Sequence, residues 1–171
     1  NAFLLGPGWD DGDRGIIEMA ADEDKPIVLD ADAIKLIRSG DSFSGRAVIT
    51  PHKGEFRTLV RNLGIEDDDF LLLAKKVSAL LDAVLVIKTS VVWIVYKERS
   101  FVFDGSNPSL GVAGSGDVLS GIIGAFLSSG LDALSSAIGG VLLHQKCGKK
   151  LSSTLGFYTA EDLIIQVGRE R

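Results

Sequence analysis

A single cysteine, Cys147, stands among the 171 residues. It excludes an intramolecular disulfide and a cysteine-based zinc site, and this usage fits a reducing compartment. Long hydrophobic runs are also missing, so no membrane-spanning helix is expected, and no secretory signal pattern is visible. Basic residues are too few to balance the acidic ones, 18 against 23, for a net charge of −5. That balance speaks against non-specific association with nucleic acid or an anionic membrane. Internal repeats and low-complexity linkers are absent. Together these absences describe a soluble, cytoplasmic, globular protein. An initiator methionine is absent too: the chain opens on Asn1-Ala2-Phe3-Leu4-Leu5, which reads as a strand entering the turn Gly6-Pro7-Gly8. The expectation is one domain spanning residues 1–171 that lacks an N-terminal part.

What is present is enough for a proper core, with 46% hydrophobic and 24% charged residues. Short, continuous apolar runs at Phe3-Leu4-Leu5, Pro26-Ile27-Val28-Leu29, Ala47-Val48-Ile49 and Ala83-Val84-Leu85-Val86-Ile87-Lys88 read as strands buried on both faces. Helical patterns lie between them, at 13–21, 33–39 and 53–63. Glu66-Asp67-Asp68-Asp69 reads as an acidic first turn of a helix reaching Leu81. Strand alternating with helix predicts a parallel sheet with right-handed crossovers, whose ligands bind beyond the carboxyl ends of the strands. Val91 to Tyr96 and Ser100 to Phe103, with Lys97-Glu98-Arg99 between, predict a β-hairpin. Two more helices are expected at 132–149, with Gly139-Gly140 allowing close packing, and after a capping box at Thr159 and Asp162.

The stretch with the most chemistry is Gly111-Val112-Ala113-Gly114-Ser115-Gly116-Asp117-Val118-Leu119-Ser120-Gly121. Apolar residues at 118, 119, 122, 123, 126 and 127 fall on one helical face, so the glycine turn sits at a helix N-terminus. Unpaired N–H groups and the helix dipole there suit a phosphate, and glycines let backbone approach it. Asp117 can cap the helix or act as a base beside the anion. Elsewhere Asp32 is expected to cap a helix beginning at Ala33 while Asp30 holds its loop. His52 either caps the next helix or meets a ligand. His144 and Cys147, at i and i+3, are packing residues, and no metal site is expected. Trp93 and Tyr96 read as core or subunit contacts.

Six separated motifs in one order resemble the ADP/ATP-dependent NAD(P)H-hydrate dehydratases of the ribokinase-like superfamily. They are Gly6-Pro7-Gly8, Val28-Leu29-Asp30-Ala31-Asp32-Ala33, Thr50-Pro51-His52-Lys53-Gly54-Glu55-Phe56, the strand-end Lys88, Asn107-Pro108, and 113–121. The resemblance implies an α/β, three-layer αβα sandwich with a mostly parallel central sheet and a β-hairpin. It implies repair of hydrated NADH and NADPH (NADHX and NADPHX) by phosphorylating the ring hydroxyl and eliminating phosphate. ADP or ATP would be the co-substrate, Mg²⁺ the cofactor, and the assembly a homo-oligomer. By the same resemblance Asp117 is the base, and Gly8, His52, Asn107 and Asp117 meet the substrate. Lys88, Thr89, Ser90, Val91 and Val92, with Gly114, Ser115 and Gly116, meet the nucleotide. Thr89 departs from the family, which has glycine there. Two other readings share the glycine–aspartate turn: a hydroxymethylpyrimidine or hydroxyethylthiazole kinase, and a nucleotide-binding module without turnover. Thr50-Pro51-His52 with Gly54-Glu55 favours the dehydratase.

Overall fold

Six strands form one sheet in the order β1-β2-β3-β4-β5-β6. The computed structural model describes residues 1–10, 12–104 and 107–170. The parallel part is β1 (Phe3–Leu5), β2 (Ile27–Leu29), β3 (Ala47–Ile49) and β4 (Ala83–Lys88). The hairpin β5 (Val92–Tyr96) and β6 (Arg99–Phe103) then adds two antiparallel strands beside β4. Every residue of β2 and β3 is buried, which is why these runs are continuously apolar rather than alternating.

Strand alternation divides the core into two layers. Ile27, Leu29, Ala47, Ile49, Leu85 and Ile87 face α1 (Arg14–Asp22), α2 (Asp32–Lys35), α3 (Lys53–Leu63) and α4 (Phe70–Leu81). Val28, Val48, Val84, Val86 and Ile94 face α5 (Ser115–Ser128) and α6 (Ala133–Leu155). The last helix, α7 (Ala160–Arg169), packs its Leu163 with Cys147, Leu151 and Tyr158. The α5–α6 contact depends on the expected glycine pair: a Cβ on Gly140 would stand 2.5 Å from Ile123 Cγ1. The result is the three-layer arrangement anticipated from sequence, with both covering layers helical.

Several boundaries differ, each for a local reason. Helix α2 is one short turn, and its cap position is Ala31 at φ 47°, with no side-chain cap bond. Asp32 is therefore inside the helix, paired to Lys35, and does not cap it. The acids before α4 are outside it. Asp69 is the cap, accepting from Leu72 N–H, while Asp67 accepts from Asp69 N–H and pairs with Lys76. Helix α6 continues to Leu155, where Gly156 at φ 74° ends it. The capping box of α7 is formed as expected.

Candidate active site

The carboxyl ends of β1 to β4 carry Gly6-Pro7-Gly8, Asp30, Thr50-Pro51-His52 and Lys88-Thr89-Ser90 side by side. Helix α5 brings its N-terminus to the same end from the opposite layer. Gly114, in the left-handed region at φ 83°, is its N-cap and makes no side-chain cap bond. Asp117 is therefore not the cap; it is the third helical residue, and it is exposed. Ser115 N–H is bonded to Val112 O at 3.2 Å, and Ser115 Oγ donates to Leu110 O at 2.6 Å. The N–H groups of Gly116 and Asp117 have no protein acceptor among the described residues. Of the Gly114–Ser115–Gly116 set read from sequence, only the Ser115 N–H is taken among the described residues, and Asp117 N–H adds a further free donor.

Asp30 ties this helix end to the sheet. It is 2% exposed; Oδ1 accepts from Lys88 Nζ at 3.1 Å and from Ala31 N–H, and Oδ2 accepts from Ser120 Oγ at 2.5 Å. Ser120 Oγ also lies 3.3 Å from Thr50 Oγ1. Lys88 is consequently held rather than solvated, and a Cβ on Gly116 would stand 3.4 Å from its ammonium. One charge from β4 thus sits at the mouth of the anion turn.

His52 caps α3 in a full capping box. Its Nδ1 accepts from Gly54 and Glu55 N–H, and Glu55 returns a bond to His52 N–H. Because Nδ1 is an acceptor, the neutral ring carries its proton on Nε2, whose edge stays exposed 3.3 Å from Glu55 Oε1. The capping role and a ligand role are compatible. Thr89 does not need glycine's conformations, since it is absent from the positive-φ residues. Its N–H and Oγ1 both donate to Val91 O, which closes the loop.

A cavity of ≈570 Å³ collects Lys88, Thr89, Ser90, Val92, Asn107, Ser115 and Gly116. Val91 does not line it. Asn107 Nδ2 and Gln145 Nε2 are buried donors without partners among the described residues, and both residues border this cavity. Asp117 opens instead onto a cleft of ≈520 Å³ between α5 and α7, with Gly114, Val118, Ile122 and Ile164. Gly8 and His52 stand at the sheet end without lining either cavity. No group of three His, Cys, Asp or Glu side chains is placed to cage a metal among the described residues.

His144 also belongs to this region. It is buried, and its Nε2–H donates to Ser115 O at 2.9 Å, fixing the first turn of α5 from the α6 side. Burial pushes its imidazole down to about 4, with the nearby Lys88 charge acting in the same direction against the hydrogen bond. The folded value lies below the unfolded one, so the neutral ring stabilises the fold fully above pH ~6.5. That contribution, on the order of 3 kcal/mol, is lost as pH falls from ~6.5 towards ~4. The His144→Gln protein should lack this part of the pH dependence when urea midpoints are compared between pH 7 and 4. Parallel curves for the two proteins would disprove the assignment.

A family model for NAD(P)H-hydrate dehydratase matches residues 1–168. The chain belongs to the NAD(P)H-hydrate dehydratase family. Among its relatives, a bifunctional NAD(P)H-hydrate repair enzyme of Pyrobaculum aerophilum is 35% identical over 85% of this chain and 29% of its own length. An ADP-dependent (S)-NAD(P)H-hydrate dehydratase of Neisseria meningitidis is 29% identical over 91% of this chain and 57% of its own. The chain thus spans less than two thirds of these curated relatives. In structure, a ribokinase-like superfamily protein of Enterococcus faecalis is similar with a TM-score of 0.81, at 28% identity, over 98% of this chain and 62% of that one. The ADP/ATP-dependent NAD(P)H-hydrate dehydratase of Bacillus subtilis, crystallised with ATP and Mg²⁺, gives 0.80 at 24% identity, over 98% and 62%. The latter likeness supports the ribokinase-like fold. For a dehydratase-family chain, the sequence reading missed Gln145 and the sheet-to-helix role of Asp30. Gln145 lies in a helix with no motif around it, so nothing local marked it.

Proposed function

We propose that this chain carries nucleotide-dependent dehydration of hydrated NAD(P)H. The observation that carries the reading is the first turn of α5, which presents an exposed carboxylate, Asp117, on one side and, at residues 116 and 117, free N–H groups, with the Lys88 ammonium held against Gly116. Asp117 takes the proton of the ring hydroxyl, whose oxygen attacks the terminal phosphorus of ADP or ATP. The bond from that phosphorus to its bridging oxygen breaks, and AMP or ADP leaves. The N–H groups and Lys88 stabilise charge gathering on the transferring group. The ring C–O bond then breaks, driven by the ring nitrogen lone pair, and phosphate departs. Loss of the neighbouring C–H proton restores the double bond. ADP is the expected donor, as in the relative's name.

Gly8 and the exposed Nε2–H edge of His52 contact the substrate; in its neutral form His52 donates there. Asn107 Nδ2 contacts the substrate where it meets the transferring phosphate, and Lys88, Thr89, Ser90 and Val92 contact the nucleotide. Magnesium would arrive on the nucleotide phosphates, whose oxygens it takes as ligands. When bound, it would neutralise phosphate charge. The test is recovery of absorbance at 340 nm from NADHX or NADPHX with ADP or ATP and Mg²⁺, using the full-length protein. Recovery that requires nucleotide supports the reading. Hydrates left untouched while a vitamin-precursor alcohol is phosphorylated would replace it with the kinase reading.

A further inference from the structure

The largest cavity described, ≈960 Å³, lies on the α3–α4 side of the sheet and is not used by the chemistry above. Its wall is a chain of three rings in edge-to-face contact. Phe56 and Phe70 have centroids 5.6 Å apart, and Phe70 and Trp93 5.4 Å, at interplanar angles of 66° and 64°. Lys53 and Arg57 also line it. They are four residues apart on α3, hence on one face, and neither side chain has an ion-pair or hydrogen-bond partner among the described residues. Two carboxylates share the cavity. Asp67 is committed to Lys76 and to Asp69 N–H, whereas Asp68 is exposed and unpaired. Thr89 and Ser90 border both this cavity and the one at the α5 turn, and Lys53 follows His52 directly.

An aromatic wall, two free cations one helical turn apart and one free carboxylate make a specific chemical demand. Stacking asks for a planar base, the cations for a phosphate monoester, and Asp68 for sugar hydroxyls. ADP and ATP have no phosphate beyond the chain that ends at α5. NADPHX has one, on the adenosine ribose, and NADHX does not. We infer that the Phe56–Phe70–Trp93 cavity receives the 2′-phosphoadenosine end of the dinucleotide substrate, with Lys53 and Arg57 selecting NADPHX over NADHX. The inference rests on the dehydratase reading for the remainder of the substrate.

The test uses the full-length protein and the Lys53→Ala, Arg57→Ala double variant, whose sites are exposed and outside both cores. The KM for NADPHX should rise about tenfold or more, with kcat and the KM for NADHX changed less than about twofold. A second readout is independent of turnover. Adenosine 2′-monophosphate should quench tryptophan fluorescence saturably. The quench should vanish in Trp93→Phe, which retains Trp9, and weaken about tenfold in the double variant. Equal KM values for both hydrates in variant and parent, or no quench by the probe, would overturn the inference while leaving the dehydratase reading intact. If neither hydrate is repaired by the parent protein, the dehydratase reading falls. The quench and its loss in the double variant then still decide whether the cavity binds a phosphorylated adenosine.

Discussion

Asp117→Asn should reduce nucleotide-dependent recovery of NADPH absorbance by about 10²- to 10⁴-fold in kcat, the range for loss of a positioned general base. The substitution is nearly isosteric and exposed, so the fold should persist. The variant would still present the backbone N–H of residue 117, so nucleotide should bind within a few-fold of the parent affinity. That combination separates a base from a cap. Gly114 already occupies the cap position without side-chain help, so Asp117 contributes little there beyond its charge near the dipole. Equal turnover by parent and variant would remove Asp117 from the chemistry. Parallel loss of nucleotide binding and of thermal stability would instead make it a structural residue.

The other large effect is on stability. Gly6 has φ +116°, and an added Cβ would stand 1.8 Å from the carbonyl oxygen of Asp30 and 2.8 Å from Ala33 Cβ. Neither neighbour can retreat: Asp30 N–H is bonded to Leu5 O, and Ala33 is buried at the start of α2. Gly6→Ala should therefore cost about 4 kcal/mol, combining backbone strain with overpacking. Gly8 provides the control. It also has positive φ, at +71°, yet nothing lies within 4 Å of its added Cβ. Gly8→Ala should cost only about 1 kcal/mol. Urea unfolding of the three proteins checks both values; a Gly6→Ala midpoint equal to that of Gly8→Ala would refute the close-contact argument. Because the Gly6 contact sits on Asp30, the stability loss should carry a secondary loss of nucleotide affinity through Lys88.

Much of the arrangement was legible in local pattern. Buried parallel strands must be continuously apolar, so 27–29, 47–49 and 83–88 announced themselves, and the limits of α3 follow from His52, Glu55 and Gly64. Where the reading failed, competing local signals were resolved by tertiary contact. The carboxylates at 66–69 suit a helix dipole, but Asp67 turned to Lys76 and Asp69 took the cap, leaving the helix to start at Phe70. The pattern at 33–39 suggested two turns of helix, but only one formed, ending where Leu36 and Ile37 N–H close tight turns.

The sequence by itself determined the parallel sheet with its hairpin, the glycine turn opening a helix, and the family, because period, capping and motif order are properties of neighbouring residues. Only the tertiary structure decided that Asp30, far from Lys88 and Ser120 in the chain, would hold both. It alone placed His144 under the α5 turn, gave Gln145 a place at the cavity, and joined Lys53 and Arg57 to a wall of Phe56, Phe70 and Trp93. Those relations span separate elements packed on both faces of one sheet. No local pattern encodes them, since each arises only when the helices are buried against it.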